Sequence, residues 1–321
     1  MSRTLAVRYD PRLIEDAVFH AQRGSHVMKE LDEQRSRIYE VADAEDRERR
    51  FNELYHSWFV RLGLNQTIDE ALREQPIIAA QVESCFIVRA AQSKEEGAEL
   101  FVASAHRSEE SARRTVRIAL RPESLLDRER LLAFLRHELF HVADMLDPAF
   151  AYQPTLPKTE GGPTYDTLIT NRYRVLWDVT INGRMAHRGW IAPSVRDEQW
   201  SDFICAFPML ETDGAECFER FFHAERPAHP ELAAFAFDPR AVAGGPADGS
   251  VAGTHCPLCK FPSHAFEAEP NQLDGDVLAA ITNDFPHWTP SLGLCAQCAD
   301  LYRASRLSLA AAKLLPGWNS C

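Results

Sequence analysis

The sequence predicts an α+β fold: helices around a small sheet, followed by a separate cysteine-rich module. In the first third of the chain the apolar residues repeat at helical spacing, and between residues 85 and 120 the period changes to two. A long amphipathic helix follows, and two CxxC pairs lie beyond residue 250. At 321 residues and 45% hydrophobic content, the chain can bury one sizeable core and support a small additional module.

The amino-terminal region, residues 11 to 75, is predicted to be helical. Thr67, with Glu70 three positions later, predicts a capping box for a short third helix. Two amphipathic segments precede it, marked by Leu13, Ile14, Ala17, Val18 and Ala21 and by Phe51, Leu54, Tyr55, Trp58, Phe59 and Leu62.

Three strands are predicted next, at 85–89, 99–104 and 115–120, because these stretches are rich in Val, Ile and Phe and are separated by polar turns. In 115–120 the alternation is regular, which is typical of a strand with one solvated face. If that strand forms the edge of the sheet, it could pair with an extended peptide.

The next segment is predicted to be a helix that begins at Ser124 or Asp127 and ends at Asp147, since Pro148 cannot continue it. His137 and His141 are four residues apart and therefore lie on one face of this helix, where they can hold one metal ion. An apolar stripe lies roughly opposite them, formed by Leu132, Leu135, Leu139, Val142 and Leu146.

With Glu138, these histidines complete an HExxH motif, and residues 80 to 190 resemble the zincin metallopeptidases. The resemblance implies a zincin-like domain with helices, a small mostly antiparallel sheet and an HExxH active-site helix. It also implies that His137 and His141 bind a catalytic zinc, that water fills an open position, and that Glu138 is the general base.

The third zinc ligand is predicted to be Asp178. The HExxHxxGxxH extension of metzincins and the Asn-Glu-x-x-x-Asp pattern of gluzincins are both absent. Asp178 lies on a polar helix face, and its D-x-x-I-N context is similar to an element that follows HExxH in some bacterial metallopeptidases. An ion pair with Arg174 is the structural alternative, and Glu160 and His187 are alternative ligands. Asp144 is predicted to orient an imidazole.

Two CxxC pairs predict a second, structural zinc site of four thiolates. Its ligands are Cys256, Cys259, Cys295 and Cys298. Two redox pairs or a rubredoxin-like iron site are alternatives, but neither pair is expected to open a helix in a βαβ context. His255 and His264 are near enough in sequence to replace a cysteine. The long insert between the pairs is predicted to contain a short helix around 276–281.

These signals predict a zincin-like domain over 1–225, a proline- and glycine-rich linker over 226–250, and a zinc-ribbon-like module over 251–321. The layout resembles SprT-type proteases in architecture only, because the third histidine of those enzymes has no counterpart here. The loop over 148–166 is expected to border the metal cleft. Tyr165 or Tyr173 could donate a hydrogen bond to an oxyanion, although packing is the simpler role for each.

A net charge of −12 makes nucleic acid an unlikely partner, although a local basic patch is conceivable around Arg172, Arg174 and Arg184. Neither a long apolar run nor a secretory leader is apparent, so we expect a cytoplasmic protein that does not enter a membrane. The other cysteines, Cys85, Cys205, Cys217 and Cys321, are expected to be free thiols.

The favoured function is a zinc-dependent hydrolase, a cytoplasmic metallopeptidase that cuts a protein or peptide. The alternative is a non-catalytic zinc-binding adaptor with a vestigial HExxH site, in which the cysteine module recruits a protein partner. Hydrolysis of a non-peptide amide is a third hypothesis, because the same groups activate water toward any carbonyl. A fourth protein ligand at the histidine site would favour the adaptor, and an open position would favour the enzyme.

Overall fold

A computed structural model describes residues 5–22, 28–103, 113–156, 162–239, 254–260, 262–263 and 266–304. The chain forms two compact units. The first unit comprises 1–152 and 181–193, and the second comprises 153–180 and 194–321. Sequence-distant segments therefore contribute to each unit, and the predicted domain boundaries at 225 and 250 stay a prediction.

A four-stranded mixed sheet lies in the first unit. Its strands are β1 (Ala6–Tyr9), β2 (Ser84–Arg89), β3 (Gly97–Ala103) and β4 (Arg113–Leu120), in the order β1-β2-β4-β3. The β1-β2 and β2-β4 pairs are parallel, and only β3-β4 is antiparallel. The expectation of a mostly antiparallel sheet was therefore wrong. The short strand β1 was not predicted, and a helical crossover joins it to β2, as parallel pairing requires.

The edge of the sheet near the HExxH helix is β3, whereas β4 lies between β2 and β3. The hypothesis that 115–120 is the edge strand was therefore wrong. Alternation along β4 reports which side chains are buried, but it carries no information on which neighbour each strand takes. The boundaries of the three predicted strands agree with the structure within about two residues.

Helices α1 to α5 pack with the sheet to form the core of the first unit. They are α1 (Pro11–Gln22), α2 (Met28–Tyr39), α3 (Ala44–Arg61), α4 (Gln66–Arg73) and α5 (Pro76–Gln81). The predicted capping box was wrong, because Asn65 occupies the N-cap of α4 without a side-chain cap bond and Thr67 lies inside the helix, buried. Because Thr67 is buried inside the helix, its hydroxyl does not cap the start of α4.

The HExxH helix is α6, Arg128–Leu146, and it packs against α4, α5 and β3. Asp127 caps it, since its side chain accepts a 3.1 Å hydrogen bond from the Arg130 amide, as predicted. All five leucine and valine positions of the predicted apolar stripe are buried in the core. This stripe fixes the rotation of α6 and leaves its histidine face pointing away from the core.

Helix α7, Gly162–His187, is longer than the predicted segment, and the boundary between the units falls within it. The second unit continues with α8 (Ser194–Ala206), α9 (Gly214–Phe222) and α10 (His229–Phe237). Its interior is rich in aromatic rings, including Phe203, Phe207, Phe218, Phe221 and Phe235.

Helix α10 lies within the segment predicted to be a linker. Pro230 occupies its first turn, where a missing amide hydrogen is tolerated, and Leu232 and Phe235 are fully buried. The prediction of a linker was therefore wrong for residues 229–237, because Pro230 lies in the first turn of a helix there. Residues 240–250 lie outside the described part of the chain.

The carboxyl-terminal part contains a strand pair, β5 (Thr254–His255) and β6 (Pro262–Ser263), helix α11 (Gly275–Asp284) and a helix over 296–304. The helix predicted around 276–281 is α11, and Trp288 beyond it is buried, with its indole donating to the Gly293 carbonyl at 2.8 Å. Within the described residues, no helix combines the length and the apolar character that crossing a membrane requires.

Candidate metal centres

The histidine face of α6 carries the first candidate metal centre. The rings of His137 and His141 lie edge to face with their centroids 5.0 Å apart. One ligand atom from each histidine and one carboxylate oxygen of Asp178 all lie within 4.8 Å of one another. The three side chains are half-buried. They therefore form a group that could hold a metal ion, and in the described residues it has three members.

Glu138 lies on the flank of the histidine face and is held by the edge strand. Its Oε2 accepts a 3.0 Å hydrogen bond from the Ala98 amide, and its Oε1 lies 3.4 Å from Nδ1 of His137. A Cβ at Gly97 would come within 3.4 Å of Oε2, so a small residue suits this position. Neither Gly97 nor Ala98 belongs to the sequence motif, and only the fold reveals their contribution.

The electrostatics around Glu138 favour its ionised form. Burial opposes ionisation, but the hydrogen bonds from His137 and the Ala98 amide and the charges of both histidines outweigh it and lower the pKa of Glu138. A carboxylate that is ionised and aimed beside two imidazoles can accept a proton from a water molecule held near them.

Of the two alternative third ligands, His187 is not in this group. His187 is exposed at the end of α7, and Glu160 lies outside the described residues. The Asp144 carboxylate accepts two hydrogen bonds from Arg184, at 2.7 and 2.6 Å, and its predicted role in orienting an imidazole stays a prediction. Both partners are largely buried, and a paired guanidinium satisfies a carboxylate better than one ring N–H.

The four cysteines form the second candidate metal centre. All four are buried, and their sulfurs belong to one group. The Sγ atoms of Cys256 and Cys298 are 3.9 Å apart, and those of Cys259 and Cys295 are 3.8 Å apart. Four sulfurs about 2.3 Å from a central zinc would be about 3.8 Å apart, so the spacing suits a tetrahedral site. It is too long for a disulfide.

Each CxxC pair forms a tight backbone turn. In the first, the Lys260 amide donates to the Cys256 carbonyl at 2.8 Å, and Lys260 has a φ of +62°. Backbone amides also donate to sulfur, from Cys295 to Cys256 at 3.2 Å and from Cys298 to Cys295 at 3.4 Å. Such donors stabilise thiolates. The crowded sulfurs lower the pKa of Cys256 and raise those of Cys295 and Cys298.

The second pair stands at the start of a helix, the one over 296–304. The adjoining strands are nevertheless a short antiparallel pair and not a βαβ unit, and all four sulfurs converge. His264 and the side chain of His255 lie outside what the structure describes.

Cys85 and Cys217 are buried free thiols and Cys205 is an exposed one, as predicted, whereas Cys321 lies outside the described residues.

Arg172, which the sequence analysis considered for a local basic patch, is buried in the second unit. Its guanidinium donates to the Ala206 carbonyl at 3.1 Å and contacts the Met209 sulfur at 3.7 Å. Burial lowers its pKa to about 10, and the nearby Cys295 and Cys298 act in the opposite direction. Its Nη1 has no hydrogen-bond partner among the described residues. Sequence reasoning missed this buried charge beside the cysteines.

The two tyrosines considered for an oxyanion role both pack inside the second unit. Tyr173 is buried, and its hydroxyl shares a 2.7 Å hydrogen bond with Nδ1 of His229. Tyr165 is also buried, and burial together with the nearby Cys259 and Cys298 raises its pKa. Packing, the simpler of the two predicted roles, therefore describes both tyrosines.

Comparison with known proteins finds no family model that matches this chain, no similar curated protein and no similar solved structure. The protein has mixed α and β structure, and it contains a four-cysteine group and a His₂Asp group, each of which could hold a metal ion.

Proposed function

We propose that this protein is a zinc-dependent hydrolase that cuts peptide bonds, with Glu138 as its general base. The observation that carries the proposal is the constellation itself: two histidines and Asp178 converge, and Glu138 is fixed beside them by a backbone amide of the edge strand. Three candidate ligands leave one position of a tetrahedral ion open, as catalytic zinc sites do. This favours an enzyme over a closed, non-catalytic site.

The residues have separable roles in this mechanism. His137, His141 and Asp178 would hold zinc, which would acidify a bound water and polarise a carbonyl. Because Oε2 of Glu138 is held by Ala98, Oε1 is the oxygen we expect to accept the proton of the attacking water. The same carboxyl group would then deliver that proton to the leaving amine nitrogen.

The edge strand suggests that the substrate is an extended peptide. The Ala98 amide points outward to Glu138, and backbone groups alternate along a strand, so Leu100 and Val102 direct their amides and carbonyls to the same open edge. Phe101 and Val102 are each about half exposed there. A peptide added to this edge would pass beside Glu138. The zincin resemblance of the motif agrees with this arrangement.

Replacing Glu138 by Gln tests the proposal, since the amide keeps the size of the side chain but cannot accept the proton. We expect hydrolysis of a peptide library to fall by about 10² to 10⁴ while zinc remains bound. Glu129→Gln is the matched control, because Glu129 is the other glutamate of α6 and is exposed. Full turnover in Glu138→Gln, measured by mass spectrometry of the products, would show that another group is the base.

A further inference from the structure

Next to the histidine face, the first unit contains a cluster of three arginines and two aromatic rings, named here the arginine–aromatic cluster: Arg136, Arg184, Arg188, Phe140 and Trp190. The Arg188 guanidinium carbon lies 4.8 Å from the ring centroid of Phe140 and 4.8 Å from that of Trp190. Arg184 lies over Phe140 at 4.8 Å, and Arg136 over Trp190 at 4.2 Å. The rings therefore hold all three guanidiniums in place.

The three guanidiniums of the cluster differ in their ion pairs among the described residues. Arg136 donates two hydrogen bonds to Glu74, at 2.8 and 2.6 Å, and Arg184 is paired in the same way with Asp144. Arg188 has no carboxylate partner among the described residues, and its side chain is exposed. Arg188 therefore offers an exposed guanidinium that makes no ion pair among the described residues, in a protein whose net charge is −12. Partial burial and the neighbouring Arg184 lower the pKa of Arg188, and the charge of Glu74 acts in the opposite direction.

The backbone fixes where Arg188 stands. Helix α7 ends at His187, and Gly189 follows with a φ of +66°. The Gly189 amide donates to the Ala186 carbonyl at 2.9 Å, and the Trp190 amide donates to the Met185 carbonyl at 3.0 Å. These two bonds form a Schellman motif, which reverses the chain and brings Trp190 back against the arginines. Arg188 is therefore preorganised, although it is exposed.

The cluster lies on the opposite flank of the histidines from Glu138. Successive residues of a helix are separated by about 100°, so Phe140 and Glu138 each lie about 80° from the midline between His137 and His141, on opposite sides. Glu138 faces β3 by way of the Ala98 amide, and Phe140 carries Arg188. A peptide that crosses the histidine face from β3 would therefore run toward the unpaired guanidinium.

From this arrangement we infer that Arg188 is a specificity-determining residue that binds a carboxylate of the peptide substrate. The Arg188 guanidinium is held against two rings that are tilted by 46° and whose centroids are 6.1 Å apart. The N–H donors of a planar guanidinium can bind both oxygens of a carboxylate. The carboxylate is either an acidic side chain or the carboxyl terminus of the peptide. The inference rests on the proposed function, because it names the substrate class of the same site.

Binding of a defined peptide series tests it without turnover. The peptides share one sequence, carry Glu or Gln at one scanned position, and have a free or an amidated carboxyl terminus. Affinity is measured calorimetrically on zinc-loaded Glu138→Gln protein, in which cleavage is blocked. We expect at least one carboxylate-bearing peptide to bind about tenfold more tightly than its neutral counterpart. The two series show whether the side chain or the terminus is bound.

Three further substitutions, each made in the Glu138→Gln background, assign the preference to Arg188. Arg188→Met keeps an apolar contact with the rings and should reduce the carboxylate preference to about one without weakening the neutral peptide. Arg188→Lys keeps the charge and loses the planar fork, so an intermediate preference is expected. Arg37→Met is the matched control, because it removes an exposed arginine of α2, and it should leave the preference unchanged. Thermal midpoints show that each variant is folded.

The outcomes separate this inference from the proposed function. Equal affinity for every charged and neutral pair, no binding of any peptide, or a preference that survives in Arg188→Met would overturn the role of Arg188. If wild-type protein cleaves peptides while those results hold, the hydrolase proposal stands alone. If an Arg188-dependent preference is found but wild-type protein cleaves none of the peptides, the carboxylate site stands and the catalytic proposal fails.

Discussion

The two candidate metal centres differ in how completely the protein encloses them. Every cysteine of the four-sulfur group is buried, and the sulfur separations of 3.8 and 3.9 Å already suit a tetrahedral ion. The His137, His141 and Asp178 side chains are half-buried and offer three candidate ligands among the described residues. A closed set of four ligands can only hold an ion, whereas a set of three leaves a position for a reacting molecule.

The two centres also differ in charge. Four thiolates around a divalent zinc leave a net charge of about −2, while two neutral imidazoles and one carboxylate leave about +1. The negative site needs a nearby cation, and Arg172 is buried beside it. A positive site would keep the electrophilic character that polarises a carbonyl, as the proposed function requires. Ligand type therefore agrees with the proposal of one stabilising and one reactive centre.

The largest effect is expected when the closed centre is broken. Cys259→Ser should remove one zinc equivalent and unfold the carboxyl-terminal part, because structural zinc contributes about 10–16 kcal/mol of binding free energy in small metal-folded peptides. Elemental analysis and limited proteolysis measure both effects. Cys205→Ser is the control, since Cys205 is an exposed free thiol. Unchanged metal content and protease resistance in Cys259→Ser, or iron instead of zinc in wild type, would refute this assignment.

At the centre formed by His137, His141 and Asp178, we expect a large effect on metal binding and a smaller effect on the fold. Asp178→Ala should weaken zinc at the histidines by more than about 100-fold, since losing even an outer partner of a ligand costs about 10- to 100-fold. A chelator should release zinc from wild type in a fast and a slow phase, and the fast phase should vanish in this variant.

Two comparisons check the identity of that ligand. His187→Ala and Glu160→Ala should keep the fast phase, because His187 is outside the group and Glu160 is only an alternative from sequence. Arg174→Ala distinguishes the ion-pair alternative. If it reproduces the thermal destabilisation of Asp178→Ala while zinc affinity stays intact in both, Asp178 is a structural partner and not a ligand.

The smallest effect is expected for Arg172→Met, which replaces the buried guanidinium by an apolar side chain of similar length. We expect slow-phase zinc release to accelerate by about tenfold, as for other outer partners of metal ligands. Stability of the zinc-free protein should not fall, because without thiolate charge a buried guanidinium only costs free energy. Arg174→Met, exposed on the same helix, is the control. Equal destabilisation with and without zinc would contradict charge compensation.

Local spacing in the sequence predicted much of the fold. The three strands, the cap at Asp127 and the apolar stripe of α6 follow from residues that are near one another in the chain. The errors came from long-range choices. Strand order decided that β3 and not β4 is the edge, and packing decided that α10 is a helix.

By itself, the sequence determined which side chains could act together on one helix face or in one knuckle: His137 with His141, and each cysteine with the other cysteine of its pair. Helical and turn geometry impose these relations within a few residues. Only the tertiary structure decided that the two cysteine pairs share one group, that Ala98 holds Glu138, and that Arg188 makes no ion pair with a carboxylate in the described part of the chain. These relations join residues distant in sequence, and they arise when burial of the core selects one arrangement of the elements.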